Sequence, residues 1–291
     1  MLREEICILC RCTDSTSQHA IRVYQNRKPF RLNAKIDIGE VKVPEDIASS
    51  DVENCFFVAD SEAKCVWKIA RQTGDYHIFL DWECTRFFLW SYTLSVSCDG
   101  HELLILQHRS LYIYSTFREE GAAQKPLLIV QLPSDIKDPR HAVQTPSGYF
   151  IILHSLEQRC VVSKVTGDGR FVVRRFIPQN ETQRLTDPRY LTLDSNDRVF
   201  VSDVTRERVI LLNSDLTWIP ILRPVEDEVN GRLTSGPNRL CYDKAERQLI
   251  VDGDGVDIYT LTENECTFHE QLRLGPGDQV SEMYKFLKQR K

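Results

Sequence analysis

The chain has 291 residues, 42% of them hydrophobic and 27% charged, with a formal net charge of −5. That is apolar material enough for a core, which excludes wholesale disorder, and the acidic balance weighs against broad attraction to nucleic acid or anionic membrane. No run of about 18 apolar residues occurs, so no helix is expected to span a bilayer.

The start, Met1-Leu2-Arg3-Glu4-Glu5, is charged and does not read as a secretory signal. Most of the ten cysteines stand singly in apolar strand-like runs, as Cys55, Cys65, Cys98 and Cys241 do. Buried, reduced thiols in a cytoplasmic chain are therefore expected. Cys7, Cys10 and Cys12 lie close enough to suggest zinc, but on a strand Cys7 faces away from the other two, so a buried-thiol role is expected and no metal.

In chain order, the first apolar runs cover residues 6–9, 20–24 and 31–38 and read as three strands. Next come Pro44-Glu45-Asp46-Ile47, Phe56-Phe57-Val58-Ala59, Val66-Trp67-Lys68-Ile69 and residues 76–80. The third group holds Ser91-Tyr92-Thr93-Leu94, Leu103-Leu104-Ile105-Leu106, Tyr112-Ile113-Tyr114 and residues 127–130. The fourth runs from Pro139-Arg140-His141-Ala142 through Phe150-Ile151-Ile152-Leu153 to Phe171-Val172-Val173. The fifth runs from Pro188-Arg189-Tyr190-Leu191 through Phe200-Val201-Ser202 and Val209-Ile210-Leu211-Leu212 to residues 219–222. The sixth opens on Pro237-Asn238-Arg239-Leu240 and continues with Leu249-Ile250-Val251.

Aligned on Ile8, Val58, Ile105, Ile152, Val201 and Val251, these groups repeat at steps of 50, 47, 47, 49 and 50 residues. The runs are short, β-branched and aromatic, and are interrupted by Gly, Pro, Asn and Asp, which favours strands over helices. Four short strands per repeat of this length is the anatomy of a propeller blade. The expectation is one all-β domain over residues 1–291, a six-bladed β-propeller of four-stranded antiparallel blades. Its blade units cover about 1–40, 41–85, 86–132, 133–180, 181–225 and 230–275, with 276–291 as closing segment. The first unit lacks a proline-led strand, and residues 279–287 are expected to supply it, although the run around Met283 also tolerates helix.

Two repeats carry a finer pattern. Asp187-Pro188-Arg189-Tyr190-Leu191, then Val199-Phe200-Val201-Ser202-Asp203, then Arg208-Val209-Ile210-Leu211-Leu212, resembles the NHL repeat; the unit from Pro44 through Asp60 to Ile69 is nearly as close. The other units carry Cys10, Gln107, His154 and Gly253 at the position of Asp60 and Asp203. The resemblance extends to the propeller at the C-terminus of TRIM-NHL proteins. It implies partner recognition, as in a ubiquitin-ligase assembly or scaffold, although no RING, B-box or coiled-coil part is present in this sequence.

In a propeller, residues that lead the innermost strands gather around one opening. Here these are Arg140, His141, Arg189, Tyr190, Asn238 and Arg239, with Tyr92, Glu45 and Asp46 across from them. A planar guanidinium fork suits a carboxylate, a phosphate or an extended peptide. The same arginines could instead pair with Asp138, Asp187 and their neighbours to join blade to blade. Asp60 and Asp203 end their core strands before a turn and are expected to hold turn N–H groups.

The leading expectation is a non-enzymatic module that binds a protein or peptide and uses no cofactor. RNA binding is an alternative, through Arg22, Arg27-Lys28, Arg174-Arg175 and the arginines of the opening, with exposed Tyr190 and Tyr92 to stack bases. A metal-dependent lactonase-like or lyase-like propeller is the third, but the inner strands are mostly apolar and short of acids. His141 and His154 alone do not make a metal site.

Overall fold

In the computed structural model, residues 5–11, 19–25, 31–81, 93–117, 124–219, 237–243, 247–252, 256–261, 266–272 and 279–286 are described. Tyr92 and Cys12 lie outside them, as do the side chains of Cys7 and Cys10. Among the described residues the regular structure is β-strand in six four-stranded sheets, with a single turn of 3-10 helix at Val204–Arg206. By its contacts the chain divides into two compact units, Met1–Val130 with Pro276–Lys291, and Gln131–Gly275.

The first unit begins with β1 (Glu5–Arg11), β2 (Ala20–Gln25) and β3 (Arg31–Asp37), paired antiparallel in sequence. A second sheet holds β4 (Pro44–Ser50), β5 (Cys55–Asp60), β6 (Cys65–Ala70) and β7 (Tyr76–Asp81). A third holds β8 (Thr93–Val96), β9 (Glu102–Gln107), β10 (Ser110–Ser115) and β11 (Leu128–Gln131). The strand that the first sheet lacks comes from the other end of the chain: Gln279–Phe286 pairs antiparallel with β1 from Glu5↔Phe286 to Arg11↔Gln279. The helix these residues tolerate does not form, because the open edge of β1 offers a full row of backbone partners.

The second unit repeats the plan. It contains β12 (Lys137–Gln144), β13 (Phe150–Leu156), β14 (Arg159–Val165) and β15 (Val172–Phe176). Next are β16 (Pro188–Leu193), β17 (Val199–Asp203), β18 (Arg208–Leu212) and β19 (Trp218–Ile219). The last sheet has β20 (Arg239–Asp243), β21 (Gln248–Asp252), β22 (Val256–Leu261) and β23 (Cys266–Leu272). The closing strand Gln279–Phe286 is accordingly β24.

The second strands β5, β9, β13, β17 and β21 are buried on both faces and are therefore apolar on both sides. All six residues of β5 are buried, and the pleat sorts them. Phe56 and Val58 pack with Leu9 and Ile21 of the preceding sheet and with Ile38 just after it. Phe57 and Ala59 pack with Leu94, Leu103 and Ile105 of the following one. The second unit does the same: Val199 and Val201 meet Leu153 and Val162, while Phe200 meets Leu240, Leu249 and Val251. Phe56, Phe57 and Phe200 are fully buried, each contributing about 2–3 kcal/mol by area removed from water. In the first unit β4 lies between β24 and β8, and in the second β16 lies between β12 and β20. Within each unit the innermost strands of neighbouring sheets thus lie side by side.

Candidate functional site

Prolines lead the inner strands because the first residue of a strand can lack an N–H without loss to the ladder. The residues after them form bulges. Pairing steps from Pro44↔Asp60 to Asp46↔Ala59, and from Pro188↔Asp203 to Leu191↔Val201, while β12 shifts between Lys137 and His141. A bulge re-aims the extra side chain. The re-aimed residues are Glu45, Arg140 and Arg189, so two of the three arginines owe their projection to a local irregularity.

Those two arginines converge on Asp187. Arg140 Nη1 donates to Asp187 Oδ1 at 3.1 Å and to the Pro188 carbonyl at 2.8 Å. Arg189 donates through Nε to Asp187 Oδ2 at 3.2 Å and through Nη1 to Asn238 Oδ1 at 3.3 Å. The chain Arg140–Asp187–Arg189–Asn238 therefore runs across three neighbouring sheets of the second unit. Asp138 does not share in it. The guanidiniums stay half in water, with side-chain exposures of 37% for Arg140 and 52% for Arg189.

Asp187 is itself held from behind. The buried carboxylate of Asp203 accepts the backbone N–H groups of Thr186 (3.1 Å) and Asp187 (3.0 Å), and Arg208 Nη2 lies at 3.3 Å. Asp60 does equivalent work in the first unit. It accepts from Lys42 N (2.7 Å) and Val43 N (3.1 Å) ahead of β4, and from Glu62 N, Ala63 N and the Trp67 indole. Both acids thus secure the entry to the inner strand. Asp60 also ties the following turn, whereas at Asp203 that turn is the 3-10 segment.

The next position inward aligns His141, Tyr190 and Arg239. The rings of His141 and Tyr190 are 3.7 Å apart between centroids and tilted by 38°, and the Arg239 guanidinium carbon lies 5.0 Å from the Tyr190 centroid. His141 is 1% exposed and Tyr190 7%. Tyr190 is therefore not the exposed stacking surface that an RNA reading requires: the bulge turns Arg189 outward and Tyr190 inward. Among the described residues neither ring nitrogen of His141 has a hydrogen-bond partner, and burial, aided by the charge of Arg239, pushes its pKa down to about 3. Across the ladder from Arg239 lies Asp252, also buried, with Oδ1 lacking a hydrogen-bond partner among the described residues and its pKa pushed up to about 7 by burial against the opposing pull of Arg239.

Two further acids occupy the first unit. Glu45 accepts from Ser61 Oγ at 2.9 Å, and buried Asp46 caps Ile47 N at 2.7 Å and Leu94 N of the next sheet at 2.6 Å. His154 stands where other repeats have Asp. Its Nε2 is 2.7 Å from Ser163 Oγ and its Nδ1 2.9 Å from the Ser155 carbonyl, an arrangement that fits a neutral ring with the proton on Nδ1. Among the described residues no three of His, Cys, Asp and Glu come together as a metal-binding set, and no helix is long and apolar enough to cross a membrane. Cys55 and Cys65 are buried free thiols, and Cys160 is a half-buried one.

No protein-family model and no characterised protein matches the sequence. Solved structures do resemble the fold. A chain in the crystal structure of a nidogen/laminin complex matches at a TM-score of 0.68 with 13% identity, covering 99% of this chain and 100% of that one. A Lactobacillus plantarum protein matches at 0.59 with 12% identity, covering 93% and 82%. Hydrazine synthase from Kuenenia stuttgartiensis matches at 0.54 with 12% identity, covering 83% and 70%. The chain has the fold of a β-propeller built from four-stranded antiparallel blades.

Proposed function

We propose that this chain is a non-enzymatic recognition module, a six-bladed NHL-like propeller that binds a protein or peptide partner in the cytoplasm without a cofactor. The observation that carries the reading is the half-exposed chain Arg140–Asp187–Arg189–Asn238. Both bonds of Arg140 leave through Nη1, and its Nε and Nη2 make none among the described residues, which leaves them to a ligand. Guanidiniums fixed on bulges are pre-organised donors and lose little freedom on binding. A structural neighbour solved in an assembly of two proteins, nidogen and laminin, supports the same use of the fold. Service as a substrate adaptor in a ubiquitin-ligase-type assembly follows from the resemblance to TRIM-NHL proteins.

The test is a pull-down from cytosolic extract with wild type beside Arg140→Ala/Arg189→Ala, with and without ribonuclease, thermal unfolding serving as control for the fold. Partners that survive ribonuclease and are lost in the double variant support the reading. Partners that vanish with ribonuclease move RNA to first place. An unchanged partner set overturns recognition at the arginines.

A further inference from the structure

The β13–β14 turn and the segment 177–187 between β15 and β16 enclose a groove of about 650 Å³, within the range of ligand pockets. One wall is the two-residue turn Glu157-Gln158, closed by the pair Leu156↔Arg159. Both turn residues have positive φ, 46° and 64°. That geometry suits Asn-Gly, and ordinary side chains hold it at a cost of about 1 kcal/mol or more each. Glu157, Gln158 and Arg159 all point into solvent, and Cys160 behind them is half-buried.

The other wall is irregular backbone held rigidly. Arg206 grips Glu181 through its carbonyl at 2.5 Å and its carboxylate at 3.0 Å. Arg208 holds the carbonyls of Thr182 and Arg184, each at 2.6 Å. Within the segment, Asn180 Oδ1 accepts Gln183 N and Gln183 Oε1 accepts Gln179 N. A long segment without regular structure, fixed in this way, is characteristic of binding loops.

The charges around the groove are unequally engaged. Of the two carboxylates that line it, Glu181 is satisfied by Arg184 and Arg206. The open capacity is cationic. Arg159 makes no hydrogen bond or ion pair among the described residues, and Arg184 is 62% exposed with one bond through Nη1. Arg140 is near enough that its charge opposes the burial that raises the Cys160 pKa. The lining thus presents two guanidiniums, Arg159 and Arg184, beside Glu181, which is engaged, and Glu157, which has no partner among the described residues.

We propose that this groove is a binding site for a peptide segment bearing aspartate or glutamate, with Arg159 and Arg184 receiving its carboxylates. The proposal rests on the recognition reading above and names the site and ligand class for it. A peptide fits because the pre-formed loop and the groove's mixed amide and carbonyl lining match backbone as well as side chains, whereas RNA would need an exposed aromatic platform.

The experiment is selection of a random dodecamer peptide display library on the full chain, followed by titration of enriched peptides. Enriched sequences should carry an excess of Asp and Glu. Arg159→Glu should weaken them by at least tenfold, the weight of one charge-assisted hydrogen bond, and Glu157→Gln should strengthen them severalfold. Both positions are exposed, so unchanged thermal unfolding is expected and checks the fold. Acidic peptides that bind both variants like wild type would overturn the groove while leaving peptide recognition standing. Enrichment of neutral or basic peptides would overturn the ligand class. A labelled uridine dodecamer that binds and is lost in Arg159→Glu would replace peptide by RNA. Failure to enrich any dodecamer would count against both proposals.

Discussion

The imidazole of His141 lies 3.7 Å, centroid to centroid, from the ring of Tyr190 on the neighbouring inner strand, and both are buried. Arg239 covers the other partner of this stack at 5.0 Å from Tyr190 and faces Asp252 across its own ladder. Two buried titratable groups are therefore displaced in opposite directions around one arginine.

Stability should respond to pH with two opposing slopes. His141 drops from 6.5 to about 3, so between these values the unfolded chain binds the extra proton and stability is lost as pH falls. Asp252 rises from 3.8 to about 7, so there the native state holds the extra proton and stability is lost as pH rises. The slopes oppose one another between pH 3.8 and 6.5. Relative to wild type, Asp252→Asn should become more acid-sensitive, by on the order of 1.4 kcal/mol per pH unit, and His141→Phe less so by a similar amount. Urea unfolding of the three proteins across this range gives the difference profiles; parallel curves would remove both groups from the linkage.

Removing the carboxylates that secure the inner strands should be costly. Asp60→Ala leaves four backbone N–H groups and the Trp67 indole without their acceptor, and a loss of about 3 kcal/mol is expected. Asp203→Ala should cost about 2 kcal/mol and also loosen Asp187. Asp187→Asn, acting between half-exposed groups, should cost below about 1 kcal/mol. Urea midpoints should follow that order, and a drop at Asp187 as large as at Asp60 would contradict it.

Two turn glycines should separate strain from crowding. Gly148 has φ +79° and open space where a Cβ would lie, so Gly148→Ala should lose about 1 kcal/mol. Gly100 has φ +81°, and a Cβ there would meet Val52 Cγ2 at 2.8 Å. Gly100→Ala should therefore lose about 2–3 kcal/mol. Equal thermal shifts would show that Val52 moves aside without cost.

Truncation before Gln279 removes β24 and bares one edge of β1 along its whole length, leaving β2 on the other. The shortened chain should unfold at clearly lower denaturant concentration and associate through the exposed edge. Size-exclusion chromatography and urea unfolding check both, and a stable monomer would mean that the β1 edge does not need its cover.

The strands were legible because their periodicity is local. The alternation in Cys55-Phe56-Phe57-Val58-Ala59 divides it between two cores, and the turn residues mark where each strand ends. The role of β24 was legible by subtraction, since the first repeat was one strand short. The candidate site was legible only as a set of positions. In the sequence its arginines read either as donors around an opening or as joints between blades, and Asp187 accepting from both Arg140 and Arg189 shows how they are joined. The burial of Tyr190 had no signal of its own, because a bulge is a property of two paired strands. Asp252 was overlooked because it stands one residue short of the position that Asp60 and Asp203 occupy.

By itself the sequence determined the unit of construction: a repeat of 47–50 residues whose apolar alternation and turn chemistry permit four short antiparallel strands. Only the tertiary structure decided which polar groups are satisfied, which are stranded, and where a groove opens. The physical reason is separation. His141, Tyr190 and Arg239 lie a repeat apart in the chain, as do Arg140 and Asp187, and their charges and hydrogen bonds depend on neighbours that no local pattern encodes.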